Sequence, residues 1–244
     1  MLDKFWSYQC RDVTCCPAEG VPFDTGSHPV TAAMSAAGLA AYPDRAALER
    51  TLAPLTGERA TARDQATQRA CARAAALADE AARRGGSPLR LVIGEGRRAV
   101  RAAVDRYRGG GTITDNDLAA WLVVSLAQLP VRDDAWARME PRHREAHRRL
   151  WTDLVRGAAD AWVPAPASLL AFTAWQCGEG ALARIAIDRA LACDPGYSMA
   201  LLLREILDAG VPPSAARLPM SPEEVEQSYA DAPRPRPGEP GAGD

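Results

Sequence analysis

Residues 171–203 read "AFTAWQCGEGALARIAIDRALACDPGYSMALLL", and their reading decides the fold class. Gly178, Ala183, Ile187, Ala190 and Leu191 follow helical spacing, and Asp194-Pro195-Gly196 then turns the chain into a further apolar run. This order follows the second half of a tetratricopeptide repeat, where small residues let two antiparallel helices approach. Such arrays need about three units to bury a continuous face, and the sequence offers one full unit and part of a second. A tetratricopeptide-like helical hairpin is therefore expected, not a peptide-binding superhelix. Its partner surface is expected around Trp175, Ile187 and Tyr197, because aromatic and apolar side chains beyond what one hairpin buries mark a docking site.

The helical signal continues in both directions. Upstream, Pro164 and Pro166 are expected to mark a junction before three short helices, "ASLLAFTAWQC", "ALARIAIDRALACD" and "YSMALLLREILDAG". Over residues 133–159, Trp136, Met139, His143, Ala146, Leu150 and Leu154 recur at spacings of three and four, which predicts one helix face. Thr114 or Asp115 can cap "NDLAAWLVVSLAQL", with Pro130 closing it. "ERATARDQATQRACARAAALADEAARR" is a longer helix stopped by Gly85 and Gly86, and its apolar face is mostly alanine. Asp44 caps "DRAALERTLAPL", which Pro54 should end, and "VTAAMSAAGLAAY" reads as a short helix before it. Downstream, Ser221 and Pro222 open a last helix, "SPEEVEQSY". The expected class is mainly α. An irregular cysteine-containing segment covers residues 1–29, packed helices 30–159, a tetratricopeptide-like helical region 164–229 and a disordered tail 230–244.

Composition bounds the function. The 244 residues are 47% hydrophobic and 25% charged with a formal net charge of −2, so no nucleic-acid partner and no membrane partner is expected. Lys4 is the only lysine, so 28 of the 29 basic residues are arginine, the mark of a GC-rich coding bias. The first twenty residues carry Asp3, Lys4, Arg11 and Asp12 and no apolar run, unlike a signal peptide. The longest apolar stretch, residues 118–130, is interrupted by Ser125 and Gln128 and is too short to span a bilayer. Six cysteines are too sparse for a disulfide-built secreted domain, so a reduced, cytoplasmic protein is expected.

Three of those cysteines sit in "FWSYQCRDVTCCPAEG", residues 5–20. Cys10, Cys15 and Cys16, with His28 twelve residues later, are four donors of the kind that tetrahedral zinc accepts. Two adjacent cysteines rarely hold one ion, however, and the spacing is not that of paired C-x2–4-C motifs. A redox pair lacks its C-x-x-C spacing. Small hydrophobic packing on Phe5, Trp6 and Tyr8 is the third reading. Cys71, Cys177 and Cys193 lie in helical patterns and read as core.

Other motifs are weaker. "HREAH", residues 143–147, has histidines at i and i+4, but arginine stands where a zincin has its glutamate. His143 falls on the apolar stripe and reads as a core histidine. Gly94-x-Gly96-x-x-Ala99 follows an apolar run like a dinucleotide fingerprint, but no second strand completes a βαβ unit. The arginine runs at 97–101 and 142–149 are interleaved with acids, as on an ion-paired face. No Ser/His/Asp set, phosphate-binding loop or paired-carboxylate motif is visible.

Two stretches together, "WSYQCRDVTCCPAEGVPFD" and "LLAFTAWQCGEGALARIAIDRALACDPGYSMALLLREILDAGVPPSAARLPMSPEEV", resemble the family of domain-of-unknown-function 4192. Its members are mostly actinobacterial, in keeping with the arginine-heavy composition. Members usually carry a further N-terminal region of mixed strand and helix, so the chain resembles the C-terminal part of one: a natural short form, a misplaced start or a fragment. The resemblance implies no activity. It favours treating Trp6, Tyr8, Cys10, Cys15, Cys16 and Pro17 as a real motif. The leading expectation is a non-enzymatic helical protein that presents a surface to a protein partner. The alternatives are a module stabilised by structural zinc on Cys10, Cys15, Cys16 and His28, or the remnant of an enzyme whose chemistry lay in the missing N-terminal region.

Overall fold

The structure, a computed structural model, describes residues 4–5, 21–22, 42, 44–215 and 221–230. Two compact units divide the chain, Met1–Thr51 and Leu52–Asp244. In the first, β1 (Lys4–Phe5) pairs antiparallel with β2 (Val21–Pro22), Lys4 opposite Pro22 and Phe5 opposite Val21. Helix α1 (Arg45–Arg50) follows, and Asp44 caps it as expected by accepting the Ala47 N–H at 2.6 Å. It stops well short of Pro54. The Thr51 hydroxyl donates to the Leu48 carbonyl at 2.6 Å and takes up a last-turn acceptor.

The second unit holds α2 (Glu58–Arg83), α3 (Arg90–Arg108), α4 (Asn116–Leu126), α5 (Leu129–Ala137) and α6 (Arg144–Gly157). After these come α7 (Pro164–Gln176), α8 (Gly180–Cys193), α9 (Ser198–Asp208) and α10 (Pro222–Ala230). Two of these helices are apolar on every side. In α4 each residue from Ala119 to Leu126 is buried, and in α7 each from Pro164 to Trp175. A helix without a polar face must be covered all round, and the other helices do this. The alanine face of α2 meets α4, where Ala66 and Ala70 join Val92, Ala120, Trp121 and Val124 in one cluster. Helices α6 and α8 lie against α7, and α9 packs on both α8 and α7.

Several boundaries differ from expectation for local reasons. Pro164 and Pro166 mark the junction between α6 and α7 as expected, but from inside the first turn of α7, where a missing N–H breaks no hydrogen bond. Pro130 likewise lies in the first turn of α5, and α4 has already ended at Leu126. The run before Gly94 and Gly96 is helical from Arg90, so the glycines are inside α3 and form no phosphate loop. Gly96 is a contact glycine: a Cβ there would lie 2.8 Å from Ser125 Cβ and 3.1 Å from Val131 Cγ2. The stripe expected over 133–159 is broken, because α5 stops at Ala137 and a 3-10 turn, Pro141–His143, precedes α6.

Polar ties hold the α3–α5–α10 side. The buried Asp134 carboxylate accepts from Arg101 at 2.6 Å and 3.1 Å and from Arg138 at 3.1 Å. Beside it, Asp133 pairs with Arg132 at 2.7 Å and accepts the Tyr229 hydroxyl of α10 at 2.5 Å. Ser221 caps α10 as expected, and the structure completes a capping box: the Glu224 N–H donates to Ser221 Oγ at 3.2 Å and the Ser221 N–H to Glu224 Oε2 at 2.7 Å.

Candidate functional site

The α7–α8–α9 row is built by two turns. Gly178 takes φ +78° after α7, and the Gly178 and Glu179 N–H groups return to Trp175 and Ala174 carbonyls at 2.9 Å. Asp194 makes the second turn: its Oδ1 accepts the Gly196 N–H at 2.9 Å and starts the chain toward α9. Ala183, Ala186, Ile187 and Ala190 of α8 are wholly buried.

The residues expected at a partner surface lie largely inside the chain. Ile187 has no exposed surface, because its face of α8 is turned into the core. Trp175 is buried in α7, and its Nε1–H donates to the Val211 carbonyl at 3.1 Å, so even its polar edge is used internally. Tyr197 is half-buried: its hydroxyl accepts from Arg132 Nη1 at 3.2 Å, with the Arg132 guanidinium 5.7 Å from its ring centroid. These three side chains are packing residues.

What remains open lies on α9. Its buried face consists of Met199, Ala200 and Leu203. Leu202 is 45% exposed, and Ile206, one turn on, is only half-buried. The two form an apolar edge beside the buried face. Arg204 and Glu205 are exposed next to it, and Asp208 pairs with Arg184 of α8, which holds its carboxyl below the usual range. The sequence signal was present in "SMALLLREILD": seven of eleven residues are apolar, more than one buried face needs.

The histidine motif resolves differently from expectation. His143 ends the 3-10 turn and is half-buried, whereas His147 is 1% exposed and stacks on Trp151. Neither nitrogen of His147 has a hydrogen-bond partner among the described residues. Burial, followed by the positive charge of Arg108 and His143, pushes its pKa down to about 4 against the opposing Glu140. The pattern His147, Leu150, Trp151, Leu154, Val155 is the true apolar stripe of α6, and tracing it from Trp151 would have found the buried histidine. Among the described residues no group of three or more His, Cys, Asp and Glu could hold a metal ion. Cys10, Cys15, Cys16 and His28 lie outside the described residues.

Cys71, Cys177 and Cys193 are free and half-buried, and burial pushes the Cys177 and Cys193 thiols up, Glu179 adding to the first and Asp160 to the second. The arginine runs are engaged within the chain. Arg142 donates to Glu140 at 2.5 Å, Arg148 to Glu145 at 2.8 Å and Arg97 to the Pro130 carbonyl at 3.1 Å. No described helix is long and apolar enough to cross a membrane.

A family model described as "Domain of unknown function (DUF4192)" matches residues 3–214. The chain belongs to that family. The DUF4192 match runs from the start of the chain through the α7–α8–α9 row and ends before α10. No curated protein and no solved structure matches this DUF4192 chain.

Proposed function

We propose that this DUF4192 protein acts by binding a protein partner, and that the outer edge of α9 receives an amphipathic helix of that partner. The observation that carries this reading is the apolar edge Leu202–Ile206, left open at the last helix of a row that otherwise packs by helix-on-helix contact. A partner helix would extend that row as each member extends its neighbour, and Arg204 and Glu205 would meet its polar margins. The reading fits a reducing, cytoplasmic setting, since Cys71, Cys177 and Cys193 are unpaired.

The test compares co-purification by the full chain with that by Leu202→Asp. The variant should melt within about 1 kcal/mol of the original, because the site is exposed, and should lose one specific companion. Retention of every companion by the variant would refute the reading. If the companion is a second copy of this chain, sedimentation will show a dimer that the variant dissolves.

One observation favours a second reading, a zinc-stabilised module. The β1–β2 pairing ties together the two ends of residues 6–20, the segment that carries Cys10, Cys15 and Cys16. About one zinc per chain after purification without added metal, lost in the Cys15→Ser/Cys16→Ser double variant, is the result this reading needs. Metal-free protein whose melting ignores chelator would remove it.

A further inference from the structure

Arg63, in the second turn of α2, is a buried cation with no ion-pair partner among the described residues. Arg63 is 9% exposed, and its Nε and Nη1 are sealed from solvent and have no hydrogen-bond partner among the described residues. Guanidinium cannot shed its proton, so its buried charge calls for a counter-ion. The two carboxylates whose charge acts on it, those of Asp153 and Asp115, are committed elsewhere. Asp115 caps α4 by accepting the Asp117 and Leu118 N–H groups at 2.8 Å and 3.4 Å, and Asp153 accepts the Tyr107 hydroxyl at 2.5 Å. Neither forms an ion pair with Arg63, which has none among the described residues. Space is kept for the guanidinium by Gly157: a Cβ there would lie 3.1 Å from Arg63 Cζ.

Arg63 lines a cleft of about 370 Å³. A second arginine, Arg59, stands one turn earlier on the same wall. Helix α2 begins here on Gly57, which offers no side-chain cap, so first-turn N–H groups of a 26-residue helix stay open beside the two arginines. Across the cleft Thr114 and Asn116 bring a hydroxyl and an amide, and Leu55 and Ile113 bring apolar surface. The acid on this wall, Glu58, is exposed and forms no ion pair with either arginine among the described residues.

We propose that this cleft between the start of α2 and the entry to α4 binds the oxyanion, carboxylate or phosphate, of a small organic ligand, with Arg63 and Arg59 neutralising it and Thr114 and Asn116 orienting it. Arg63, Arg59 and the uncapped start of α2 line the same cleft, and two cations beside open helix N–H groups are the usual arrangement for an anion. The apolar wall favours a ligand with a short carbon body over a bare ion. The site is independent of the α9 edge and does not rest on that reading.

The test titrates the full chain with inorganic phosphate and, separately, with succinate, against chloride at matched ionic strength. Melting temperature, calorimetry and amide chemical shifts are the readouts. Binding on the order of millimolar is expected for these minimal probes, with shift changes centred on residues 57–63 and 113–116. Arg63→Met should abolish the anion-dependent rise in melting temperature. Should that variant fail to fold, Arg59→Ala decides: at its exposed position it should melt like the original without anion, yet bind about tenfold more weakly, the equivalent of 1.4 kcal/mol. A response to phosphate alone assigns a phosphorylated ligand, one to succinate alone a carboxylate, and one to both the shared oxyanion chemistry. No response beyond chloride, or an equal response in the arginine variants, overturns the proposal.

Discussion

On one side of the helical unit, α7 buries every residue from Pro164 to Trp175 and α8 sets Ala183, Ala186, Ile187 and Ala190 into the same interior. On the other, α3, α5 and α10 are joined through Arg101, Asp134, Arg138, Asp133 and Tyr229. Apolar contact stabilises by the area it removes from water and is indifferent to pH and salt. Charged contact must first repay desolvation, and its advantage is geometric: a carboxylate with two arginines fixes one register. The two sides should therefore respond differently to cavities, protons and salt.

The largest effect belongs to the apolar side. Leu170→Ala removes a wholly buried side chain from the middle of α7 and should cost about 4 kcal/mol, from lost transfer energy plus a cavity that tight neighbours cannot collapse. The loss, measured by urea unfolding, should be the same at low and high salt. A loss under about 1 kcal/mol, or one that varied with salt, would break the contrast.

Acid should single out His147, the one titratable group on the buried face of α6. His147 is neutral in the fold with a pKa of about 4, against 6.5 in an unfolded chain. Between those values the unfolded chain holds the extra proton, so stability is at its full value above about pH 6.5 and falls as the pH drops toward 4. The span amounts to about 3 kcal/mol. His147→Leu should flatten that part of the stability–pH curve and cost little at neutral pH, because the nitrogens it removes have no partners among the described residues. A curve unchanged in the variant would show that other groups carry the acid sensitivity.

Asp134→Asn addresses the ionic side directly. Arg101 and Arg138 are 38% and 35% exposed, so each can turn to water once the charge is gone, unlike a sealed partner. The expected cost is about 2 kcal/mol, below the range for a fully buried pair, and smaller at high salt. Equal loss at both salt concentrations would mean that packing, not charge, holds this side.

These contrasts also explain what the sequence made legible. Helix existence was readable from alanine content and periodicity, and the caps at Asp44, Asp115 and Ser221 were readable because capping is local chemistry. Pro130 was misread as closing α4, since a proline in a first turn and one after a helix look alike in one dimension. The burial of Trp175 and Ile187 was hidden for a related reason. Trp175 and Ile187 look like surplus apolar residues only while the all-round burial of α7 is unknown, and that depends on α4, α6 and α8 arriving together. Arg63 gave no local signal at all: its isolation follows from Asp115 and Asp153 being spent on other partners.

The smallest effect sharpens the comparison at its edge. Helix α10 lies beyond the DUF4192 match and is attached to α5 through buried Val225 and the Tyr229–Asp133 hydrogen bond. Burial and the Asp133 charge push the Tyr229 hydroxyl well above its usual range, so the bond persists through the whole neutral and mildly alkaline range. Tyr229→Phe keeps the ring and removes only the donor, while Asp133 retains Arg132 at 2.7 Å. A cost of about 1 kcal/mol is expected, and it should be local. Amide exchange in residues 222–229 should quicken by roughly the corresponding factor of five, with global unfolding unmoved. If global unfolding falls as well, α10 belongs to the same cooperative unit as Asp134, and the ionic side reaches beyond the family fold to include it.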